Sequence, residues 1–452
     1  MSTIAATTTA EQLIERDRQL LIHPYLPGAT EERVVMTEGV GCRLKDVEGR
    51  EYLDATGGLW LAQIGHGRAE IAEVAAEQMR RLEYFTSFWE FSNDRAIELA
   101  GRLVDLAPDS LTRVYFTSGG SESNEAALRM ARYFHSRRGH EGRDWILARR
   151  SAYHGIGYGS GSASGLPIYH EGFGPMLPHV RHLTPPWPYR SELFDGRDAT
   201  EFCLDELERT ISELGGDRIA AMIGEPIMGV GGMLVPPDDY WPRVRELLSA
   251  HGILLILDEV VTAFGRTGSW FGAQHFGVEP DLIVTAKGIT SGYIPLGAVL
   301  VSEPVAEELA RDHGFPVGFT YNGHPTACAV AMRNLEIIDR EGLLDRARQV
   351  GAFLLEELSA LEELPVVGEV RGVGMMLGIE LVSDKQTRTP ISMHAAPHDV
   401  IRRETGVLVR DCAHTLVLSP PLVMSEAEAT EVVAAVRSVL QRLAPDGNIA
   451  PR

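Results

Sequence analysis

Residues 281–298, DLIVTAKGITSGYIPLGA, place Lys287 directly after an apolar run and before glycines and a proline. The run Leu282–Thr285 is typical of a buried strand that ends in a turn. A second run, Ile253–Leu257, leads into Asp258 within LLILDEVV (254–261), 29 residues before the lysine. In open α/β sheets, ligands bind beyond the carboxyl ends of the strands. Both side chains therefore stand where they can face a cofactor.

Other short apolar runs repeat this pattern between helical or glycine-rich stretches. We predict that they are strands: Arg113–Thr117, Trp145–Ala148, Ile219–Ile223 and Ala298–Val301. This alternation predicts an α/β fold with a mainly parallel sheet covered by helices. After about Thr326 the pattern changes to two helices, short strands and a final helix over Glu426–Leu443. That change predicts a second, smaller α+β domain.

Two stretches lack a clear periodicity. Residues 1–12 are rich in threonine and alanine, and we expect a frayed tail there. Residues 155–200 are rich in glycine, proline and serine. A structureless stretch of that length is typical of a functional loop region.

The composition argues against several classes of protein. With 42 basic and 63 acidic residues, the formal charge is −21, so nucleic acid and anionic membranes are disfavoured as partners. The four cysteines form no CxxC pair and fit a reducing compartment, and we predict no metal site. The N-terminus lacks a secretory pattern and the apolar runs are too short for a bilayer, which indicates a cytoplasmic protein.

Nearly all basic residues are arginine, and the lysines are Lys45, Lys287 and Lys385. Lys45 and Lys385 lie in charged, turn-rich sequence and are expected at the surface. The apolar and glycine-rich flanks of Lys287 indicate a low-dielectric turn, where the pKa of an amine falls. A neutral amine of this kind can form a Schiff base. The alternative is a surface lysine that follows a strand.

Asp258 has three interpretations. The magnesium-binding acid of a P-loop NTPase is rejected, because no lysine precedes Ser or Thr as GxxxxGK[ST] requires. The acid could instead cap the next helix, or it could pair with a protonated heterocycle.

A third motif is FTSGGSESNEAALR (116–129), in which a strand ends at Thr117 and glycines turn the chain. Ser121 is expected to be the N-cap of the following helix, with Glu122 in its first turn. Free N–H groups and the helix dipole there can bind a phosphate, although a plain glycine turn is the alternative. A phosphate cradle, an acid and a Schiff-base lysine together suit pyridoxal phosphate.

The chain resembles the class III aminotransferases of pyridoxal phosphate fold type I (aspartate-aminotransferase-like), in particular the pyruvate-dependent ω-aminotransferases. The resemblance runs from about Leu26 to the C-terminal helix. The stretches that carry it are GGLWLAQIGHGR, FTSGGSESNEAALRMAR, YHG at 153–155, GEPIMGVGGM, LLILDEVVTAFGRTGSWFG, TAKGITSGYIPLGAV, GFTYNGHPTACAVA, VRGVGMM and VLVRDCAHTLVLSPPL.

The resemblance implies roles around the cofactor ring. Lys287 is similar to the lysine that binds the cofactor covalently and moves the proton. Asp258 is similar to the acid that keeps the pyridine nitrogen protonated. Tyr153 and Val260 match the residues that pack on the two faces of the ring.

Further roles concern the phosphate and the neighbouring subunit. Gly120 and Ser121 match the phosphate loop, although Gly119 stands where many members of the family have serine. Thr320 resembles the threonine that reaches the cofactor of the other subunit, which implies a homodimer or a dimer of dimers. Glu225 matches a glutamate that lines the site.

The implied substrate pocket contains Trp60, Phe88 and Tyr153, and Arg410 matches a mobile arginine that binds the acceptor's carboxylate. The expected reaction moves an amino group from an ω-amino acid or amine to a keto acid, with pyruvate as the expected acceptor, by a ping-pong mechanism. An aminomutase, a decarboxylase and a non-catalytic pyridoxal phosphate-binding protein are the alternatives.

We expect a large domain over residues 61–325, a small domain over 326–452, and an N-terminal segment, 1–60, that contributes to the small domain.

Overall fold

The computed structural model describes residues 9–27 and 30–452. Its strands are β1 (Met36–Val40), β2 (Arg43–Asp46), β3 (Glu51–Asp54), β4 (Leu111–Thr117), β5 (Trp145–Arg149), β6 (Val180–Leu183), β7 (Ile219–Gly224), β8 (Leu254–Asp258), β9 (Leu282–Thr285), β10 (Gly297–Ser302), β11 (Val367–Val373), β12 (Met376–Asp384), β13 (Thr389–Pro390), β14 (Val407–Leu408), β15 (Arg410–Cys412) and β16 (Thr415–Leu418).

The helices are α1 (Ala10–Leu20), α2 (Gly57–Trp60), α3 (Ala69–Arg81), α4 (Asp94–Leu106), α5 (Gly120–Arg137), α6 (Tyr158–Ala163), α7 (Ala199–Leu214), α8 (Tyr240–Ala250), α9 (Gly272–His275), α10 (Glu303–Ala310), α11 (Pro325–Arg340), α12 (Leu343–Ser359), α13 (Pro397–Thr405) and α14 (Glu426–Leu440). Within the described ranges, no helix is both long enough and apolar enough to cross a bilayer.

A seven-stranded sheet in the order β4-β10-β9-β8-β7-β5-β6 forms the centre of the molecule. Its neighbouring strands are parallel except at β10, which runs antiparallel to both β4 and β9. Every residue of β7, β8, β9 and β10 is buried, as expected for strands covered on both faces. The predicted mainly parallel α/β sheet is therefore confirmed.

Two smaller sheets lie outside this centre. One has the order β1-β2-β3-β14, in which β14 pairs in parallel with β3 and joins the two ends of the chain. The other contains β11, β12, β16 and β15 in antiparallel order, with β13 beside β12. Arg410 begins β15 and lies opposite Val417.

Two expectations from the sequence need correction. Residues 155–200 contain α6 and the edge strand β6, so the stretch is not structureless. Within the expected tail, α1 begins at Ala10, with Thr9 and Gln12 forming a capping box, while residues 1–8 lie outside the described residues. None of the α1 side chains is fully buried, so this helix packs only loosely on the rest of the chain.

A buried charge cluster holds β12 to β16 and to the loop after β6. The Glu380 carboxylate is fully buried and accepts hydrogen bonds from Arg190 (2.9 Å), Arg371 (2.9 Å) and the Thr415 hydroxyl (2.8 Å), with His414 Nε2 at 2.9 Å. Burial alone would raise the pKa of Glu380, but the hydrogen bond from His414 and the charge of Arg371 outweigh it and hold the pKa at about 2.

Replacing Glu380 by Gln should lower the free energy of unfolding by about 3–5 kcal/mol, because two guanidinium groups lose their buried counter-charge. The folded pKa lies below that of an unfolded glutamate, so this stabilisation is complete above about pH 5 and disappears as the pH falls toward 2. The difference in the free energy of unfolding between wild type and Glu380→Gln should become smaller over the same pH interval. Urea unfolding across pH measures both effects.

The matched control is Glu431→Gln, which breaks a surface ion pair whose Arg43 and Glu431 side chains are 42% and 43% exposed. That change should cost less than about 1 kcal/mol. Equal losses in the two variants would contradict this account of the cluster.

Candidate active site

Lys287 follows β9 and opens a single 3₁₀ turn over Lys287–Ile289. Its backbone is left-handed, with φ +47°, which is unusual for a residue other than glycine or asparagine. Burial lowers the pKa of the Lys287 amine to about 8, against the opposing attraction of the Asp258 and Glu225 carboxylates. The amine is therefore much closer to neutrality than an ordinary lysine.

Trp60 lies close to two cationic side chains. Its ring centroid lies 5.6 Å from Lys287 Nζ and 5.3 Å from Arg410 Cζ, within the range of cation–π contact. The indole is 1% exposed and φ of Trp60 is +63°. Among the described residues, no carboxylate lies within ion-pair distance of Arg410.

Asp258 is the last residue of β8 and is almost fully buried. Its Oδ2 atom lies 2.7 Å from His154 Nδ1 and accepts a hydrogen bond of 2.8 Å from the Asn124 side chain. The Val260 N–H donates to Oδ1 at 3.2 Å. These contacts fix the carboxylate at the end of the sheet, next to the turn that carries Lys287.

The role of Asn124 is not evident from the sequence. It lies on α5, four and seven residues before the buried Leu128 and Ala131. A polar residue in register with an apolar helix stripe is the signal that could have found it, because such a group is buried only with hydrogen-bond partners.

Glu259 takes the capping role that was considered for Asp258. Its carboxylate accepts hydrogen bonds from the backbone N–H groups of Gly272 (2.5 Å) and Ala273 (2.7 Å) and from the Thr262 hydroxyl (2.8 Å). Burial raises the pKa of Glu259 to about 7. Consecutive acids thus have different partners: one caps α9 and the other faces the site.

The expected phosphate cradle lies at the start of α5. The helix begins at Gly120 after the N-cap Gly119, so the prediction that Ser121 is the N-cap is wrong. A Cβ atom on Gly120 would lie 3.0 Å from a methyl carbon of Val260, which explains the need for glycine there. The first N–H groups of the helix have no partner within it and remain available for an anion.

Glu225 and Tyr153 meet on the other side of the site. The Glu225 carboxylate accepts hydrogen bonds from the backbone N–H groups of Tyr153 (3.1 Å) and Gly229 (2.9 Å). Burial raises the pKa of Glu225, and the nearby Asp258 carboxylate adds to this, while His154 opposes it. A Cβ atom on Gly229 would lie 3.0 Å from the Trp60 ring, so Glu225 and Trp60 are close neighbours.

Phe88 and Thr320 form a separate group. The Thr320 carbonyl accepts a hydrogen bond from the Tyr84 hydroxyl at 2.7 Å, and the Phe88 ring packs on Gly318. In the described part of the chain, neither residue has a hydrogen bond or ring contact with Lys287, Trp60 or Asp258. The structure thus brings the other predicted site residues together and leaves these two apart.

The assembled residues fit pyridoxal phosphate. An amine of lowered pKa suits the aldehyde, and a buried carboxylate with fixed partners suits a protonated ring nitrogen. The start of α5, kept open by Gly120, suits the phosphate.

A sequence model of the family described as aminotransferase class III matches residues 26–440. The chain belongs to the class III aminotransferases. It is therefore an aminotransferase that depends on pyridoxal phosphate, as the sequence predicted.

Known class III members support this membership over nearly the whole chain. A putrescine–pyruvate aminotransferase from Pseudomonas aeruginosa is 38% identical over 420 residues, which cover 91% of either chain. The crystal structure of an (S)-enantioselective omega-transaminase from Thermomicrobium roseum is 46% identical, with a TM-score of 0.93 over 96% of this chain and 98% of that one.

A second solved structure bears on the cofactor. An amine transaminase from an uncultivated Pseudomonas species, in its pyridoxal phosphate-bound form, is 43% identical, with a TM-score of 0.89 over 92% of this chain and 97% of that one. The expected fold type I and the resemblance to ω-aminotransferases are thereby confirmed.

In the cofactor-free protein, reductive methylation of Lys287 should have a midpoint near pH 8, because burial favours its neutral form. An ordinary lysine has a midpoint near pH ~10.4. Peptide mass mapping can follow Lys287 separately from the other lysines, Lys45 and Lys385. The urea-unfolded protein is the reference, and a Lys287 midpoint that is the same in the folded and unfolded states would refute its assigned environment.

Proposed function

We propose that this enzyme transfers an amino group from an ω-amino acid or amine to a keto acid, with pyruvate as the acceptor, by a ping-pong mechanism. The observation that carries the proposal is the Arg410 guanidinium, which packs near the same Trp60 ring as the Lys287 amine and has no ion-pair partner within the described ranges. An arginine of this kind offers a bidentate site for a carboxylate close to the reacting amine. The name of the Pseudomonas aeruginosa relative also contains pyruvate.

When bound, pyridoxal phosphate supplies an aldehyde that takes the amino group and a ring that accepts the electrons released at Cα. Lys287 Nζ would remove the proton from Cα of the amine donor and then, as an acid, donate it to the former aldehyde carbon of the cofactor. A base with a pKa of about 8 is suited to both steps near neutral pH.

The Asp258 carboxylate would keep the pyridine nitrogen of the cofactor protonated through its negative charge. His154 and Asn124 keep that carboxylate in place, since each contacts Oδ2 within 2.8 Å. Tyr153 and Val260 would pack against the ring, and Gly120 and Ser121 would hold the phosphate.

Arg410 binds the carboxylate of the keto acid in the second half-reaction. Trp60 packs against the guanidinium and, with Tyr153, lines the space in which the donor's side chain sits. When the donor carries no carboxylate, the arginine can swing away, so that one pocket accepts both substrates.

The separate position of Phe88 and Thr320 supports a homodimer or a dimer of dimers. Thr320 is exposed, and Trp89 (beside Phe88) and Tyr321 (beside Thr320) are 83% and 59% exposed. Aromatic side chains exposed to this extent are typical of an interface. A second subunit that covers them would place Phe88 and Thr320 at its own active site.

We also propose a division of the chain into two domains and a cellular location for the protein. The described part of residues 1–60 joins the small domain 326–452, which the pairing of β3 with β14 supports, and residues 61–325 form the large domain. A cytoplasmic location is supported by four free cysteines, all of them buried.

The decisive experiment is a panel of amines, ω-amino acids and diamines with pyruvate or 2-oxoglutarate as the acceptor. Alanine should form from pyruvate together with the donor's aldehyde or ketone, and Lys287→Ala should form none. Carbon dioxide release, or an isomerised amino acid without alanine, would instead support the decarboxylase or the aminomutase.

Changing Arg410 to Ala should raise the KM for pyruvate by about 30–150-fold, because a charge-assisted bidentate contact is worth about 2–3 kcal/mol. The KM for an apolar amine should change much less. Steady-state kinetics with each substrate varied in turn measures the difference. Arg403→Ala, which removes a half-exposed arginine of α13, is the control. Equal increases for both substrates would count against the assigned role.

Mixed subunits test the shared site. Lys287→Ala removes the base from its own site, and Thr320→Asp should repel the phosphate bound in the neighbouring subunit. Each variant alone should be inactive. Co-expression should restore activity, because one site of every hybrid dimer combines an intact Lys287 with an intact Thr320. A hybrid without activity, isolated through two affinity tags, would contradict the shared site.

A further inference from the structure

The turn that carries Lys287 holds three residues in the left-handed region. Their φ values are +47° for Lys287, +50° for Ser291 and +82° for Gly292. A left-handed backbone costs roughly 1–2 kcal/mol for residues other than glycine, so the surrounding structure must hold the turn in place.

The Asn334 side chain on α11 is hydrogen-bonded to this turn. Its side-chain amide donates hydrogen bonds to the carbonyls of Gly288 (2.9 Å) and Ile289 (3.0 Å), and its Oδ1 atom accepts from the Ser291 hydroxyl (2.6 Å). The side chain is fully buried. Both donors and the acceptor of the amide are thus used on the turn that follows the lysine.

The same network reaches the loop of Trp60. The Ser291 hydroxyl accepts a hydrogen bond from the Ile64 N–H at 3.3 Å, and the Tyr293 hydroxyl donates to the Gly65 carbonyl at 2.9 Å. Asn334 therefore couples two backbone segments, one with Lys287 and one with Trp60.

The position of Asn334 is unfavourable without these partners. The residues around it on the buried face of α11 are apolar, among them Val330, Ala331, Leu335 and Ile338. Burying an amide among such residues is costly unless each polar atom has a partner. An apolar residue would satisfy the packing of α11, but it would remove the side-chain donor from both carbonyls and leave Gly288 with only the weaker 3.3 Å contact from the Ser291 N–H.

We propose that Asn334 is a positioning residue for the transamination proposed above, which fixes the Lys287 amine relative to Trp60 through the turn and Ser291. Its loss lets the turn relax toward ordinary backbone angles and admits water to the amine. The proton transfer at Cα then slows, while substrate contacts made by other residues persist.

Asn334→Ala, Ser291→Ala and the double variant test this role. Gln78→Ala is the matched control, because Gln78 is a buried amide that donates to a backbone carbonyl, that of Leu82, outside the Lys287 turn. Thermal unfolding first establishes that each variant folds.

The first readout is the methylation profile of Lys287 in the cofactor-free protein. In Asn334→Ala its midpoint should rise from near pH 8 by about one unit or more, because hydration favours the charged amine. Gln78→Ala should leave the midpoint unchanged. This readout needs no turnover, so it stands even if no donor and acceptor pair reacts. Lack of turnover with every pair would refute the proposed function and not the positioning role.

The second readout is the division between kcat and KM. Asn334→Ala should lower kcat by about tenfold or more with less than about a threefold change in the donor's KM, as expected when an interaction acts in the transition state. Ser291→Ala should produce the same pattern to a smaller extent. The double variant should lose less than the product of the single losses, because both residues act in one network.

A folded Asn334→Ala protein whose methylation midpoint matches that of Gln78→Ala would overturn the proposal. If Asn334→Ala does not fold, Ser291→Ala is judged by the same criterion, since it removes the link to Ile64 and leaves α11 unchanged.

Discussion

The site depends on keeping one amine close to neutral while two carboxylates stand near it. Loss of hydration lowers the pKa of the Lys287 amine, and the negative charges of Asp258 and Glu225 raise it. The first effect prevails because the amine sits in a turn at the end of a fully buried strand, packed beside Trp60. The parallel sheet therefore supplies both the low dielectric and the position of the lysine.

Asp258 and Glu259 show how position alone separates two identical kinds of group. Alternate residues of a strand point to opposite faces, so neighbouring acids at the end of β8 meet different partners. Backbone N–H groups of α9 take up Glu259, whereas His154 and Asn124 hold Asp258 toward the lysine. Two consecutive residues at the end of this strand thus supply one acid that caps α9 and one that faces the site.

The sequence predicted the strands before Asp258 and Lys287, since apolar runs followed by glycines or acids are local signals. It did not predict β6, because an edge strand pairs on one side and needs less apolar sequence. The sequence also did not reveal the roles of Asn124 and Asn334. Each interrupts the apolar face of its helix, and only its hydrogen-bond partners from distant segments explain its position. Thr320 was found only through the family resemblance, because its expected contact lies beyond its own chain.

The small number of lysines has a consequence for an enzyme whose reaction releases carbonyl compounds. Ammonium groups that lose a proton condense with aldehydes, whereas guanidinium groups stay charged and resist it. Outside the site, amines are confined to Lys45, Lys385 and the chain's N-terminus, and Lys385 is tied to the carbonyls of Glu362 and Leu364. Arginine side chains therefore keep their positive charge in the presence of a carbonyl product, whereas lysines in their place would condense with it.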